Sequence, residues 1–406
     1  MKLQPELLAP AGSLEKLETA LLYGADAVYV GGERFGLRAQ ADNFTLEQLA
    51  RARELTLRLN RRLYLTLNAY LMPGETEACA VYVDQLRALD LDAYIVADPG
   101  VLALVQAGDP GREIHLSTQA NTTNAEAARF WARAGVRRIN LARELGLEEI
   151  RAVRAATDVE LEVFVHGAMC VAMSGRCLLS AAMTDRGANR GLCTQPCRWS
   201  YALVEKTRPG QYFPIEEDAR GSYVLNSRDL CLLEQLPQLV EAGIDSLKIE
   251  GRMKSRYYVA AVTRVYRQAL DRYLEHPGAW HCRPSWRKEL ESVSHRPYST
   301  GFFFGKEDPQ LQPDHGGYIR RCDFVGEVTR VETDGRGVVI GRNRFFPGET
   351  LELIGPGMRQ ACFEVREPTA EDGTPLPVVQ PNARALLPLP AGAQAGDLLR
   401  RDRVEG

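Results

Sequence analysis

Eight short apolar runs, most of them ending in polar residues or glycine and nearly all followed by a helical stretch, constrain this chain more than any other feature. They are ELLAPAG (6–12), AVYVGG (27–32), RLYLTLNA (62–69), AYIVAD (93–98), EIHLSTQAN (113–121), RINLARE (138–144), ELEVFVHG (160–167) and SLKIEGR (246–252). The stretches between them are amphipathic. In SLEKLETALLYG, Leu14, Leu17, Leu21 and Leu22 recur at a helical period behind Ser13 as N-cap. Similar phrases introduce several runs, YGADAVYV, LDLDAYIV, AGVRRINL and AGIDSLKI: a helix end, a turn, then a buried strand. Eight β-then-α units in succession predict a parallel (β/α)8 barrel of the TIM type. An open doubly wound sheet is the main rival, and the near-equal units favour closure.

The apolar part of each run comes first and the chemistry comes last: Gly31 and Gly32, Asn68, Asp98, Gln119 and Asn121, Arg143 and Glu144, His166, Glu250 and Arg252. In barrel enzymes the active site lies at the C-terminal ends of the strands. So many polar strand ends around one mouth predict a ligand pocket there.

One connection is far too long. About 80 residues separate His166 from Ser246, where a β-to-α-to-β crossover needs roughly 30. Long insertions in compact domains are usually functional, and this one carries cysteines. The expected domains are a barrel over 1–275 with a Cys-rich insertion at 168–245, a linker or edge segment at 276–317, and a small all-β domain at 318–406. The last rests on short runs parted by Gly and Pro turns: DFVGEVTRV, GVVIGRNRF, ETLELIGPG, ACFEVREP and ALLPLP. Its expected job is either gripping a macromolecular substrate or covering the barrel's underside.

The insertion reads C-x6-C-x15-C-x3-C for Cys170, Cys177, Cys193 and Cys197, followed after 33 residues by Cys231. A zinc ribbon would show two short C-x2-C pairs, and there are none. Gly167, Gly175, Gly187 and Gly191 let the loop bend around a ligand. Thiolates hold iron–sulfur clusters, normally four at a time, and five candidates are present. Cys79, Cys282, Cys322 and Cys362 are scattered and read as ordinary free cysteines.

The redox compartment bears on this reading. The opening MKLQPELLAPAGSLEKLETA lacks the apolar core of a signal peptide, and no run reaches the roughly 18 apolar residues of a membrane span. A cytoplasmic protein with reduced thiols and no membrane contact is expected, so the cysteines read as metal or redox chemistry before disulfides. Net charge is −3, so binding of nucleic acid cannot come from overall charge. It needs a local basic face, for which Arg186, Arg190 and Arg198 are candidates, with Trp199 and Tyr201 as stacking surfaces for an unpaired base.

At this point the residues resemble a known family. LLAPAGSLEKLETALLYGADAVYVGG, FVHGAMCVAMSGRCLLS, NRGLCTQPCRW, NSRDLCLLEQLPQLVEAGIDSLKIEGRMKSRYYVAAVTRVYRQALD and STGFFFG are similar to the collagenase-like peptidase family U-thirty-two, over nearly the whole chain. The pattern looks most like the family's tRNA hydroxylation branch. That resemblance implies prephenate-dependent hydroxylation of the wobble uridine of tRNA, without dioxygen, and a [4Fe–4S] cluster. Its ligands map onto Cys170, Cys177, Cys193 and Cys231, with Cys197 as the competitor for the fourth place. The implied partners are tRNA, prephenate and iron–sulfur assembly proteins.

Prephenate carries two carboxylates, and Arg is the natural clamp for them. Arg143, Arg252 and Lys254, with Asn68 and Gln119, are the expected substrate-binding residues, and Arg38 follows nearby. Glu250 and His166 are the expected proton carriers and, with Arg252, the catalytic set. A mutual Glu250–Arg252 salt bridge is the alternative reading of that pair. Other functions in view are hydroxylation of a ribosomal RNA cytidine or a quinone precursor, a peptidase, and a scaffold protein with a structural metal. The sequence has no H-E-x-x-H helix and no G-x-S-x-G elbow to support a peptidase.

Overall fold

The computed structural model describes residues 4–37, 42–170, 173–196, 228–305 and 318–403, together with short backbone ribbons inside 197–227. Strands form at all eight expected places: β1 (Glu6–Pro10), β2 (Ala27–Gly31), β3 (Arg62–Leu67), β4 (Ala93–Val96), β5 (Glu113–Leu116), β6 (Arg138–Asn140), β7 (Glu160–Ala168) and β8 (Ser246–Ile249). Each pairs in parallel with its neighbour in order, and β8 pairs with both β7 and β1. The sheet therefore closes, with Ser246 opposite both Glu6 and Glu162. A closed ring has no free edge, which distinguishes it from the doubly wound rival.

The helices follow their strands: α1 (Leu14–Leu22), α2 (Leu46–Arg58), α3 (Thr76–Arg87), α4 (Pro99–Gly108), α5 (Ala125–Arg133) and α6 (Leu147–Ala156). The insertion contributes α7 (Leu179–Thr184), and then come α8 (Leu236–Glu241), α9 (Arg256–Glu275) and α10 (Pro284–Ser292). Several strand-end polar residues serve as caps. The Asp98 carboxylate accepts from the Gly100 and Val101 amides at 2.6 and 3.2 Å, so this residue is used in starting α4. Thr45 and Gln48 form a reciprocal capping box on α2.

The described residues pack into two compact units, one of 1–17, 25–254 and 296–318, the other of 18–24, 255–295 and 319–406. In the second unit, β9 (Cys322–Val331), β10 (Arg336–Gly341), β11 (Thr350–Ile354), β12 (Gln360–Glu364), β13 (Arg384–Pro388) and β14 (Leu398–Asp402) form one antiparallel sheet, ordered β12-β11-β14-β9-β10-β13. This is the small all-β domain expected from the sequence, with β14 added. LLRRD is hidden by its charge: Arg400 is buried because it pairs with Glu289 and Glu352 at 2.8 and 2.7 Å. The 276–317 segment holds α10, whose Trp286 is fully buried.

Inside the barrel the filling is charged. Lys248 Nζ lies 2.7 Å from Glu162 Oε1, both almost fully buried. Arg138 bonds Glu6 at 2.6 Å and Glu160 at 2.9 Å, and the Tyr64 hydroxyl donates to Glu6 at 2.6 Å. Burial alone would raise the Glu162 pKa. Lys248 and Arg138 outweigh it and hold the carboxyl below its ordinary 4.5. Replacing Lys248 with Met leaves that carboxylate to the more distant Arg138, at 3.7 Å, and is expected to cost about 3 kcal/mol. The Lys248→Met/Glu162→Leu double variant recovers much of the loss. Urea denaturation of the three proteins measures both.

His115 is buried beside Tyr64, with ring centroids 4.6 Å apart. Burial pushes its pKa below 6.5, with Glu113 at 3.5 Å opposing the shift. As pH falls through 6.5 the unfolded chain takes up this proton and the folded chain does not. Stability is therefore lost on acidification. The urea midpoint should fall between about pH 7 and 5, and a His115→Phe variant should show a flatter profile over that interval.

Candidate active site at the barrel mouth

The C-terminal ends of the strands hold two arginine centres. Arg143, just past β6, lays its guanidinium 3.7 Å from the centroid of the Phe164 ring. It donates to the Ala168 carbonyl at 2.7 Å and reaches Glu250 at 3.4 Å. Its Nε is buried with no hydrogen-bond partner. Glu250 lies 3.5 Å from the Tyr29 hydroxyl, which also donates to the Ile249 carbonyl at 3.0 Å. Gly167, at φ +107, lets β7 pass Glu250 closely: a Cβ there would sit 2.5 Å from the Glu250 carbonyl oxygen.

Arg252 forms the second centre and is buried. It donates to Asn43 at 2.8 Å and to Thr66 at 3.3 Å, while Glu250 pairs with Arg143. Gly31 makes room for it, since a Cβ there would fall 1.9 Å from the Arg252 Nη2. The alternative reading of a mutual Glu250–Arg252 bridge is not what forms: Glu250 pairs with Arg143, and Arg252 with Asn43 and Thr66.

The remaining expected residues are spread around the mouth. His166 is buried on β7, its ring 5.2 Å from that of Tyr298 and its carbonyl accepting the Glu250 amide. Lys254 lies over the Tyr318 ring at 4.6 Å. Burial raises the Asp229 pKa, and Arg296 first and Lys254 next overcome that and hold it low. The Asn68 side chain accepts from the Leu37 amide, which makes it a loop anchor. Gln119 receives the Tyr70 hydroxyl and Arg176 on its backbone carbonyl, and its side-chain oxygen is buried without a hydrogen-bond partner. The same is true of Asn121, Thr122 and Asn140 at the ends of β5 and β6. Asn140 was legible in principle: it follows Arg138 by two residues on a strand, so both share the inward face.

Among the described residues, Ser174, Arg176 and Arg190 fasten the insertion to this rim. Ser174 gives its amide and hydroxyl to Glu144 at 2.6 and 2.9 Å. Arg176 bonds Tyr70 and Gln119 at 3.0 and 2.7 Å. Arg190 grips Glu75 with two bonds of 2.5 and 3.0 Å. Arg190, expected on an RNA-facing surface, is therefore committed to a carboxylate. Arg38, Arg198, Trp199 and Tyr201 lie outside the described residues.

Cys170 is exposed just beyond β7; Cys177 and Cys193 are half-buried in the insertion. Cys231 sits in the short strand Asp229–Cys231, antiparallel to β7 and opposite His166. None of the four is in a disulfide, and thiols are the right donor chemistry for an iron–sulfur cluster. Among the described residues, however, no three Cys, His, Asp or Glu side chains are grouped closely enough to hold a metal ion. The thiols fit a cluster in kind and are not gathered into one. Cys197 lies outside the described residues.

A closed parallel barrel with a two-arginine mouth, a Cys-rich roof and a C-terminal antiparallel domain defines the class. The chain matches the model of Peptidase family U32 over residues 12–313 and that of the Peptidase family U32 C-terminal domain over 320–400. It belongs to peptidase family U32. It is 40% identical to the tRNA hydroxylation protein P1 of Bacillus subtilis over 376 residues, 92% of this chain and 89% of that protein. It is 36% identical to the tRNA hydroxylation protein P of Escherichia coli, over 87% of this chain and 86% of that protein. A protein named collagenase from Porphyromonas gingivalis is 31% identical, over 91% of this chain and 92% of that protein. Among the described residues no helix is long and apolar enough to cross a membrane.

The Arg190–Glu75 grip is testable. Both side chains are about one-third exposed, so each single Ala replacement should cost only about 0.5–1 kcal/mol. The double variant should cost no more than either single one. Faster proteolysis between residues 173 and 196 in all three variants would show that the grip holds the insertion down.

Proposed function

We propose that this chain hydroxylates the wobble uridine of tRNA in a prephenate-dependent reaction. The observation that carries the reading is the pair of arginine centres at one barrel mouth, in a chain whose relatives include tRNA hydroxylation proteins. Arg252, buried at the mouth with Asn43 and Thr66 on its guanidinium, is the group we assign to one carboxylate of the donor. Arg143, with its Nε unsatisfied and its hold on Glu250 at the long distance of 3.4 Å, is set to take the second. A carboxylate arriving at Arg143 releases Glu250, which is then placed at the mouth to carry a proton to or from the bound substrate. The Tyr29 hydroxyl orients Glu250 for that transfer.

Cys170, Cys177, Cys193 and Cys231 complete the proposal as the ligands of a [4Fe–4S] cluster, which when bound supplies one-electron chemistry. Gathering the thiols is then part of binding, as in other sites where metal uptake and local folding are coupled. No step above depends on it.

The experiment has two readouts. In cells lacking their own copy of the activity, wild-type chain should restore 5-hydroxyuridine in tRNA, scored by mass spectrometry. Arg143→Met and Glu250→Gln should reduce it by about 100-fold or more. Separately, anaerobically purified chain should carry about four iron atoms. Cys231→Ser should lose them and Cys197→Ser should keep them. Iron-free chain that still restores the modification sinks the cluster. Gelatin cleavage abolished by Cys170→Ala, without tRNA modification, replaces the whole reading with a peptidase.

A further inference from the structure

The ends of β2 and β3 and the insertion enclose a cleft that none of the expected catalytic or donor-binding residues lines. Its volume is about 450 Å³, within the range of roughly 300–1,000 Å³ in which pockets take small ligands. Its wall combines Arg34, Phe35, Asn43, Tyr70, Glu75 and Arg190.

The charges in this wall are not equivalent. Arg190 is neutralised by Glu75 through two hydrogen bonds. Arg34 is exposed, forms no ion pair among the described residues, and stands 5.4 Å from the Phe35 ring centroid. The aromatic groups are also distinguishable. The Tyr70 hydroxyl is spent on the Gln119 carbonyl, which leaves its ring as the part a ligand meets. Phe35 sits at φ +58, a left-handed conformation that costs a bulky residue energy. The Phe35 carbonyl accepts from Ala69, which fixes this backbone in place. The cleft is joined to the mouth through Asn43, whose side chain is held by Arg252.

Among the described residues, a cation outside any ion pair, Arg34, stands beside two aromatic rings, which matches a nucleotide: a base to stack and a phosphate to neutralise. We propose that this cleft seats a nucleotide of single-stranded RNA adjacent to the one in the barrel mouth, its base against Phe35 and its phosphate at Arg34. The proposal rests on the RNA-modifying reading above and adds a subsite to it.

The test is fluorescence anisotropy of the full chain with an anticodon stem-loop RNA, titrated at several salt concentrations. Arg34→Ala should weaken binding about tenfold and flatten the logarithmic salt slope by about 0.7, the value for one lost single-strand phosphate contact. Phe35→Gly should weaken binding about tenfold with the slope unchanged. Glycine adopts φ +58 without strain, so the melting temperature of Phe35→Gly should hold or rise. Should that variant lose fold stability instead, the exposed Arg34→Ala still decides. Wild-type binding with both variants equal to it overturns the subsite alone. Failure of the wild-type chain to bind the RNA overturns the functional reading, and the subsite with it.

Discussion

The contact on which the rest of this structure depends is the double pairing of β8. Ser246–Ile249 forms parallel ladders with β1 on one side and β7 on the other. Those two ladders turn an eight-stranded sheet into a ring, and only a ring gives the strand ends a common mouth. The register also decides what fills the interior. Ser246 and Lys248 on β8 face Glu162 on β7 and Glu6 on β1, so the closing strand brings charge into the barrel and has it matched there. An unmatched lysine at 3% exposure would oppose closure, because burying a lone charge costs several kcal/mol.

The same alternation that places Lys248 inside places Glu250 at the rim, two residues further along. Glu250 therefore reaches Tyr29 and Arg143 from three different strand ends, and the mouth is polar for a geometric reason. Arg252 follows by two more residues and enters the space left by Gly31. The chemistry of the mouth is thus an extension of the barrel's inward face. Its reactive groups stand on the first loop residues past the strand ends, where the closed ring fixes the start of each loop.

The Cys-rich insertion has a different physical character. Its described part has few buried apolar residues and is held by polar fasteners to Glu75, Glu144, Tyr70 and Gln119. Several of its apolar side chains, Met173, Leu178, Met183 and Leu192, remain exposed. Such a segment has low local stability and can rearrange at modest cost. That property suits the roof of the mouth under the proposed function, in which the mouth admits an RNA base and the thiols gather around a metal.

The barrel, its insertion point and its polar rim were readable in the sequence because each rests on local periodicity: apolar runs, helical spacing, and a connection too long for its task. The C-terminal sheet was readable for the same reason, apart from β14, where two adjacent arginines, Arg400 buried and paired, look like a solvated tail. The partners were not readable. That Glu250 pairs with Arg143 rather than Arg252, that Asp98 caps α4, that Asn68 anchors a loop, and that Arg190 is bound to Glu75 follow from neighbours distant in the chain. A side chain's type and its position on a strand are properties of a few adjacent residues. Its hydrogen-bond partner is set by strand register and loop path, which exist only once the ring has closed.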